Sequence, residues 1–147
     1  MKALIVYNSK KGKTARYARA MAMYLWQKGF SISLCATDDY SEDKIVDCDL
    51  LVTGCWTSGW FVINQYPNKL WRNFANKLPK HLPPYLILFT TYKIRTGSMF
   101  RNMRKCLNIK DTTLSDTLQS KTGMLTDVEK KALDKYAEII KNSKRNN

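Results

Sequence analysis

The 147-residue sequence has no apolar run long enough to span a bilayer, which excludes a membrane-spanning helix and membrane insertion by one. It shows no cleavable leader, because strand-forming residues begin at Ala3; the expectation is a cytoplasmic protein. It has one histidine, His81, in a Lys/Pro-rich stretch that reads as a solvated loop. A Ser-His-Asp triad or a multi-histidine metal centre has little to work with, and no catalytic residue or metal ligand is assigned. The four cysteines (Cys35, Cys48, Cys55 and Cys106) form no C-x-x-C pair and read as reduced thiols. No repeat, linker or low-complexity segment divides the chain, so residues 1–147 read as one domain of ordinary size. Acidic residues are also scarce: 12 against 25 basic ones, for a net charge of +13. That surplus suits anionic partners, whether cofactor phosphates, acidic proteins, nucleic acid or lipid. A merely solubilising surface explains it equally well at this stage.

The most informative stretch is the first fourteen residues. Ala3-Leu4-Ile5-Val6-Tyr7 is an unbroken apolar run of strand-forming residues. A short run apolar at every position reads as a parallel strand covered on both faces. Asn8-Ser9-Lys10-Lys11-Gly12-Lys13-Thr14 follows, and then helical spacing begins. A short loop rich in hydroxyls, entering a helix, offers unpaired N–H groups and a positive helix end to a phosphate.

The rest of the chain alternates strands and helices. A helix is expected over Thr14 to Lys28, with Ala15, Ala18, Ala22 and Leu25 on one stripe and Gly29 ending it. Phe30 to Ala36 alternates and reads as an edge strand, with Phe30, Ile32 and Leu34 inward. The acidic stretch 37–47 has room for one helical turn around Glu42 to Ile45. Leu50 to Cys55 is a second buried strand, opening into an aromatic loop from Trp56 to Phe61. A helix begins at Pro67 with Leu70, Phe74 and Leu78 inward, and Pro79 closes it. Tyr85 to Thr90 is the third buried strand, followed by a polar loop, Thr91 to Gly97. The next helix starts near Ser98 with Met99, Met103 and Leu107 inward. Thr113 to Ser120 is the other edge strand. Thr126-Asp127-Val128-Glu129 has the form of a capping box. It opens a last helix with Val128, Ala132, Tyr136 and Ile139 or Ile140 inward, and a frayed tail from Asn142.

This pattern is an α/β fold: a three-layer α-β-α sandwich around a five-stranded parallel sheet of order 2-1-3-4-5. In such sheets ligands sit beyond the carboxyl ends of the strands, where the winding reverses. The loops Asn8–Thr14, Trp56–Phe61 and Thr91–Gly97 therefore converge.

Ser9-Lys-Lys-Gly12-Lys-Thr14 lacks the spacing of a Walker loop and of G-x-G-x-x-G, which sets triphosphate hydrolysis aside. It resembles the phosphate loop of flavodoxins, Ser/Thr-x-Ser/Thr-Gly-x-Ser/Thr: Ser9, Gly12 and Thr14 match, and Lys11 stands where a hydroxyl is usual. Gly54-Cys55-Trp56-Thr57 is similar to that family's first flavin loop, and Thr90-Thr91-Tyr92 to the start of its second. The resemblance, which covers the whole chain, implies a flavodoxin-like protein that binds FMN non-covalently and transfers electrons. It implies that Ser9, Lys10, Lys11, Gly12, Lys13 and Thr14 hold the phosphate. Trp56 or Trp60 and Tyr92 would flank the ring, while Thr57, Ser58 and Gly59 face its edge. Cys55, Thr91 and Gly97 complete the site, with Cys55 as a small buried residue and not a redox thiol. Flavodoxins are typically acidic and this chain is basic, which points to a less reducing flavin in a protein that docks an acidic redox partner or acts as a small flavin reductase. Two other readings stand beside this one. One is a flavodoxin-fold oxidoreductase of the quinone or protoporphyrinogen oxidase kind. The other is a cofactor-free module for anionic partners; nucleic acid is disfavoured, because the aromatics lie at a sheet end and not along a basic groove.

Overall fold

Five parallel strands form the sheet in a computed structural model that describes residues 1–58, 64–109 and 114–146; from edge to edge they are Ser31–Ala36, Lys2–Asn8, Leu50–Ser58, Tyr85–Thr91 and Leu114–Ser120. The elements in chain order are β1 (Lys2–Asn8), α1 (Lys13–Gln27), β2 (Ser31–Ala36), β3 (Leu50–Ser58) and β4 (Tyr66–Pro67). Then come α2 (Lys69–Ala75), β5 (Tyr85–Thr91), α3 (Met99–Leu107), β6 (Leu114–Ser120) and α4 (Asp127–Arg145). Two 3-10 turns, Thr37–Asp39 and Glu42–Ile45, bridge β2 to β3. The expected order 2-1-3-4-5 is this sheet with the two-residue β4 set apart. β4 pairs antiparallel with the end of β3 and has no counterpart in the sequence reading.

Helices cover both faces, because the central strands carry unbroken apolar runs (Ala3–Tyr7, Leu50–Val52 and Tyr85–Phe89) that need cover on either side. Ala3, Ile5, Leu50, Val52, Ile87 and Phe89 point to one side, where Tyr17, Ala18, Met21 and Leu25 of α1 and Leu133, Tyr136 and Ile140 of α4 meet them. Leu4, Val6, Leu51, Leu86 and Leu88 point to the other, against Trp71 and Phe74 of α2 and Met99, Met103 and Leu107 of α3. Burying a side chain of this size stabilises the fold by about 1.5–3 kcal/mol. The alanines of α1 (Ala15, Ala18, Ala22) are buried as the stripe requires. Gly29 follows α1 at φ 89, the left-handed position a helix stop favours.

Three helices or strands differ in phase from the sequence reading. α2 starts two residues after Pro67, which belongs to β4; Asn68 caps it, its side chain accepting from Trp71 N–H at 3.0 Å. The later start turns Leu70 out, 50% exposed, and puts Trp71 in its place. The Trp71 indole donates to Thr53 Oγ1 at 3.0 Å, which satisfies its one buried polar atom. α2 also ends at Ala75, before Pro79. In α4, Val128 is 78% exposed and Glu129 lies inward instead. The Glu129 carboxylate accepts from the Thr126 N–H and hydroxyl, both at 2.6 Å, and from the buried Tyr17 phenol. Burial is the main cause that pushes the Tyr17 phenol well above its ordinary value and keeps it a donor. In β2, Leu34 is exposed and Cys35 is buried on the opposite face. The expected frayed tail is helical through Arg145, with Lys144 paired to Asp49 at 2.9 Å.

The register of the three central strands sets their ends level. Asn8 of β1 lies beside Cys55 of β3, and Cys55 beside Thr90 of β5. Gly54 is what lets β3 and β5 lie this close around Phe89: a Cβ at Gly54 would lie 2.0 Å from the Phe89 carbonyl oxygen. Gly54→Ala should therefore destabilise the protein by about 1–3 kcal/mol or more, read as a lowered urea midpoint with an unchanged slope. A loss below about 0.5 kcal/mol, the range of a neutral surface change, would contradict this close approach.

Candidate functional site

Because the strand ends are level, the loops that leave them open onto one cavity of about 560 Å3. Lys10, Lys11, Lys13 and Thr14 line it from the loop after β1; Trp56 and Thr57 from the end of β3; Thr91 and Tyr92 from the end of β5. Eight of the expected site residues thus share one wall. The others take different places. Ser9 does not line the cavity, and its hydroxyl is buried without a partner among the described residues. Gly12 is the N-cap of α1 at φ 81, a conformation costly for any residue with a Cβ. Cys55 is fully buried below the cavity, and burial pushes its thiol well up, which leaves it an inert small residue. Ser58 is half-buried and paired with Tyr66 of β4. Gly97 is exposed at φ 47, just before α3. Gly59, Trp60 and Phe61 lie outside the described residues.

Hydroxyl groups bind the loops to one another. Thr14 Oγ1 and Thr91 Oγ1 are 2.7 Å apart and buried, tying the start of α1 to the end of β5. One of the two donates to the other, so the pair still has one proton for a third group. Thr90 donates to the Cys55 carbonyl at 2.7 Å. Thr57, 3.0 Å from Thr90 Oγ1, must then donate to it, since a hydroxyl has one proton. Asn8 accepts from Asn68 at 2.8 Å and donates to Thr37 at 3.1 Å, which fixes the end of β1 against α2. Tyr92 is held by its N–H to the Ser120 carbonyl at 3.2 Å.

The first turn of α1 has no side-chain cap and no acidic residue. Its leading N–H groups have no intrahelical partner, and three lysines stand beside them. A buried Ser9 hydroxyl with no partner among the described residues, a left-handed Gly12 and an uncapped helix start have together the chemistry an anion needs. The Lys10 ammonium lies 5.1 Å from the centroid of the Trp56 ring, a cation resting on the aromatic wall.

Four lining residues were not assigned from sequence: Gln65, Lys93, Ile94 and Arg95. Gln65 donates to the Arg95 carbonyl at 2.7 Å, while its own carbonyl accepts from Ser98 at 2.8 Å and Asn102 at 2.7 Å. It thereby joins the segment before β4 to the loop after β5. Nothing in the sequence marked Gln65, because its role depends on the β3–β4 pairing. A signal for the basic rim was present. Residues 1–37 and 50–110 contain no Asp or Glu; every acidic residue lies in 38–49 or 111–138. The acids, more than the bases, are what the sequence segregates.

The same architecture recurs in solved structures of low sequence identity. A flavodoxin from the domain Archaea superposes with a TM-score of 0.63 at 18% identity, covering 97% of this chain and 98% of that one. The two-electron reduced Megasphaera elsdenii flavodoxin gives 0.70 at 17%, over 92% and 98%. The flavodoxin of Streptococcus pneumoniae TIGR4 gives 0.72 at 12%, over 97% and 99%. This chain has the flavodoxin-like fold. No protein-family model matches it, and no curated protein matches it in sequence. The described residues of this flavodoxin-like chain include no group of His, Cys, Asp and Glu able to hold a metal ion. Nor do they form a helix long and apolar enough to cross a membrane.

The hydroxyl pair gives this site a direct structural test. Thr14→Val leaves the buried Thr91 hydroxyl without its partner and should cost about 1–3 kcal/mol in urea unfolding. Thr14→Ser keeps the hydroxyl and should recover most of that loss. Equal stability of the valine variant and the native protein would show that the staple contributes nothing.

Proposed function

We propose that this chain is a flavodoxin-like electron-transfer protein that binds FMN non-covalently in the cavity at the strand ends. The observation that carries the reading is the convergence of three loops on one cavity, next in sequence to a phosphate-type loop whose Ser9 hydroxyl is buried with no partner among the described residues. Ser9, Thr14 and the N–H groups at the start of α1 would bind the phosphate. Gly12 holds the turn that presents them, and Lys10, Lys11 and Lys13 add charge. Trp56 and Tyr92 would flank the ring and exclude water, with Thr57, Ser58 and Gly59 along its edge. Thr91 supports Thr14, Cys55 forms the small floor, and Gly97 ends the loop that carries Tyr92. FMN, when bound, supplies the redox chemistry; the chain supplies position and electrostatics.

The basic mouth would meet a redox partner protein through an acidic surface, since like charge there would slow encounter and opposite charge would steer it. The setting we infer is a cytoplasmic one, which suits four free cysteines.

Titration of the purified protein with FMN tests the reading. The expected result is one FMN per chain, with quenched tryptophan fluorescence. Riboflavin, which lacks the phosphate, should bind at least about tenfold more weakly, and Ser9→Ala should narrow that difference, since a lost hydrogen bond to a charged group is worth about 1.5–3 kcal/mol. No uptake of FMN, or equal affinity for riboflavin, would contradict it.

A further inference from the structure

Five cationic side chains line the cavity: Lys10, Lys11, Lys13, Lys93 and Arg95. Among the described residues no carboxylate lines it, and the sequence has no Asp or Glu in 1–37 or 50–110, the stretches that supply the lining. The Lys10 ammonium lies against the Trp56 ring, so the charge reaches the aromatic wall and is not confined to the phosphate cradle. Lys93 and Arg95, one and three residues after Tyr92, line the same cavity. A lining of one sign, without counter-charge, sets a positive potential throughout the space it encloses.

Resting on the FMN reading above, we propose that this lining makes the site bind the reduced, anionic flavin more tightly than the oxidised one. The protein is then a two-electron sink whose bound flavin is easier to reduce than free FMN. The balance is simple. Two electrons from a low-potential donor (dithionite in the test) and one proton from solvent convert the neutral ring to an anion. That new negative charge appears in a cavity lined by Lys10, Lys93 and Arg95 besides the lysines of the phosphate cradle, while the neutral oxidised ring gains nothing comparable. Lys10, Lys11, Lys93 and Arg95 are exposed, so their effect is partly screened and must weaken with salt. Salt sensitivity is itself a signature that a purely steric preference for one flavin state would lack.

The test is a reductive titration of the FMN-loaded protein, with the midpoint potential of free FMN measured in the same buffer. Affinities for oxidised and reduced FMN are tied to the potential by a thermodynamic cycle: a tenfold difference corresponds to about 30 mV for two electrons. At low salt the bound flavin should have the higher midpoint, and at about 0.5 M salt the difference should shrink, as the Debye length falls to a few Å. The combined variant Lys10→Gln, Lys93→Gln, Arg95→Gln should lose about tenfold of the preference for reduced FMN, or about 30 mV. A control with the same change in net charge, Lys77→Gln, Lys80→Gln, Lys105→Gln, places the substitutions at the opposite end of the sheet. It should move the preference less than twofold. Circular dichroism and retained uptake of oxidised FMN establish that both variants are folded. A midpoint at or below that of free FMN, or equal shifts in the two variants, would overturn the proposal and leave the FMN site standing. Failure of the native protein to take up any FMN would overturn both.

Discussion

The register of β1, β3 and β5 is the constraint on which the rest depends. It sets Asn8, Cys55 and Thr90 side by side, so that three successive chain exits leave the sheet at the same height. Gly54 permits that register by yielding its side-chain space to Phe89, and Phe89 in turn meets the Tyr17 ring edge-on at 5.8 Å. The close approach of two strands thus also seats α1, the helix whose start faces the cavity. Short-range chemistry then locks the exits together. The hydroxyls of Thr14, Thr57, Thr90 and Thr91 bond one another or the Cys55 carbonyl, at distances of 2.7–3.0 Å where hydrogen bonds are short and geometry is well defined. Buried hydroxyls left unpaired would be costly, so this arrangement resists any loop that drifts away from it.

Most of the architecture was legible because the strands and helices carry unmixed signals. β1, β3 and β5 carry unbroken apolar runs, Ala3–Tyr7, Leu50–Val52 and Tyr85–Phe89, which require cover on both faces and hence parallel pairing. Met99, Met103 and Leu107 keep strict helical spacing, and all three are buried. The differences arise where a tertiary partner outweighs local pattern. Glu129 reads as a surface cap in sequence, yet Tyr17, 112 residues away in the chain, draws it inward and leaves Val128 outside. Leu70 and Trp71 exchange places because Pro67 is taken by a two-residue strand that pairs only once β3 has extended to Ser58. No local pattern encodes that pairing.

The site was legible in the same uneven way. The loop after β1 announces itself through hydroxyls and a glycine beside an apolar strand, and topology alone brings Trp56 and Tyr92 toward it. Gln65 was invisible, since it acts by bridging two segments through its side chain and its backbone carbonyl. The rim charge was half visible. Basic residues are spread along the whole chain, and only the absence of carboxylates from 1–37 and 50–110 shows that the cavity is one-signed. At the opposite end of the sheet the balance reverses: Glu42, Asp43 and Asp47 line a second hollow with His81. Carboxylates gather at that end, beside Lys2, Lys44 and Lys144, whereas among the described residues the lining where the strand exits converge holds only cations, which favours an anion there.

That account is tested most directly by mapping backbone amide resonances while FMN is added to isotopically labelled protein. The largest changes should fall together in Lys10–Thr14, Trp56–Ser58 and Thr91–Arg95 and should saturate at one equivalent. Changes centred on Glu42–Cys48 and Pro79–Pro83 at the other end, or changes confined to one of the three loops, would contradict it.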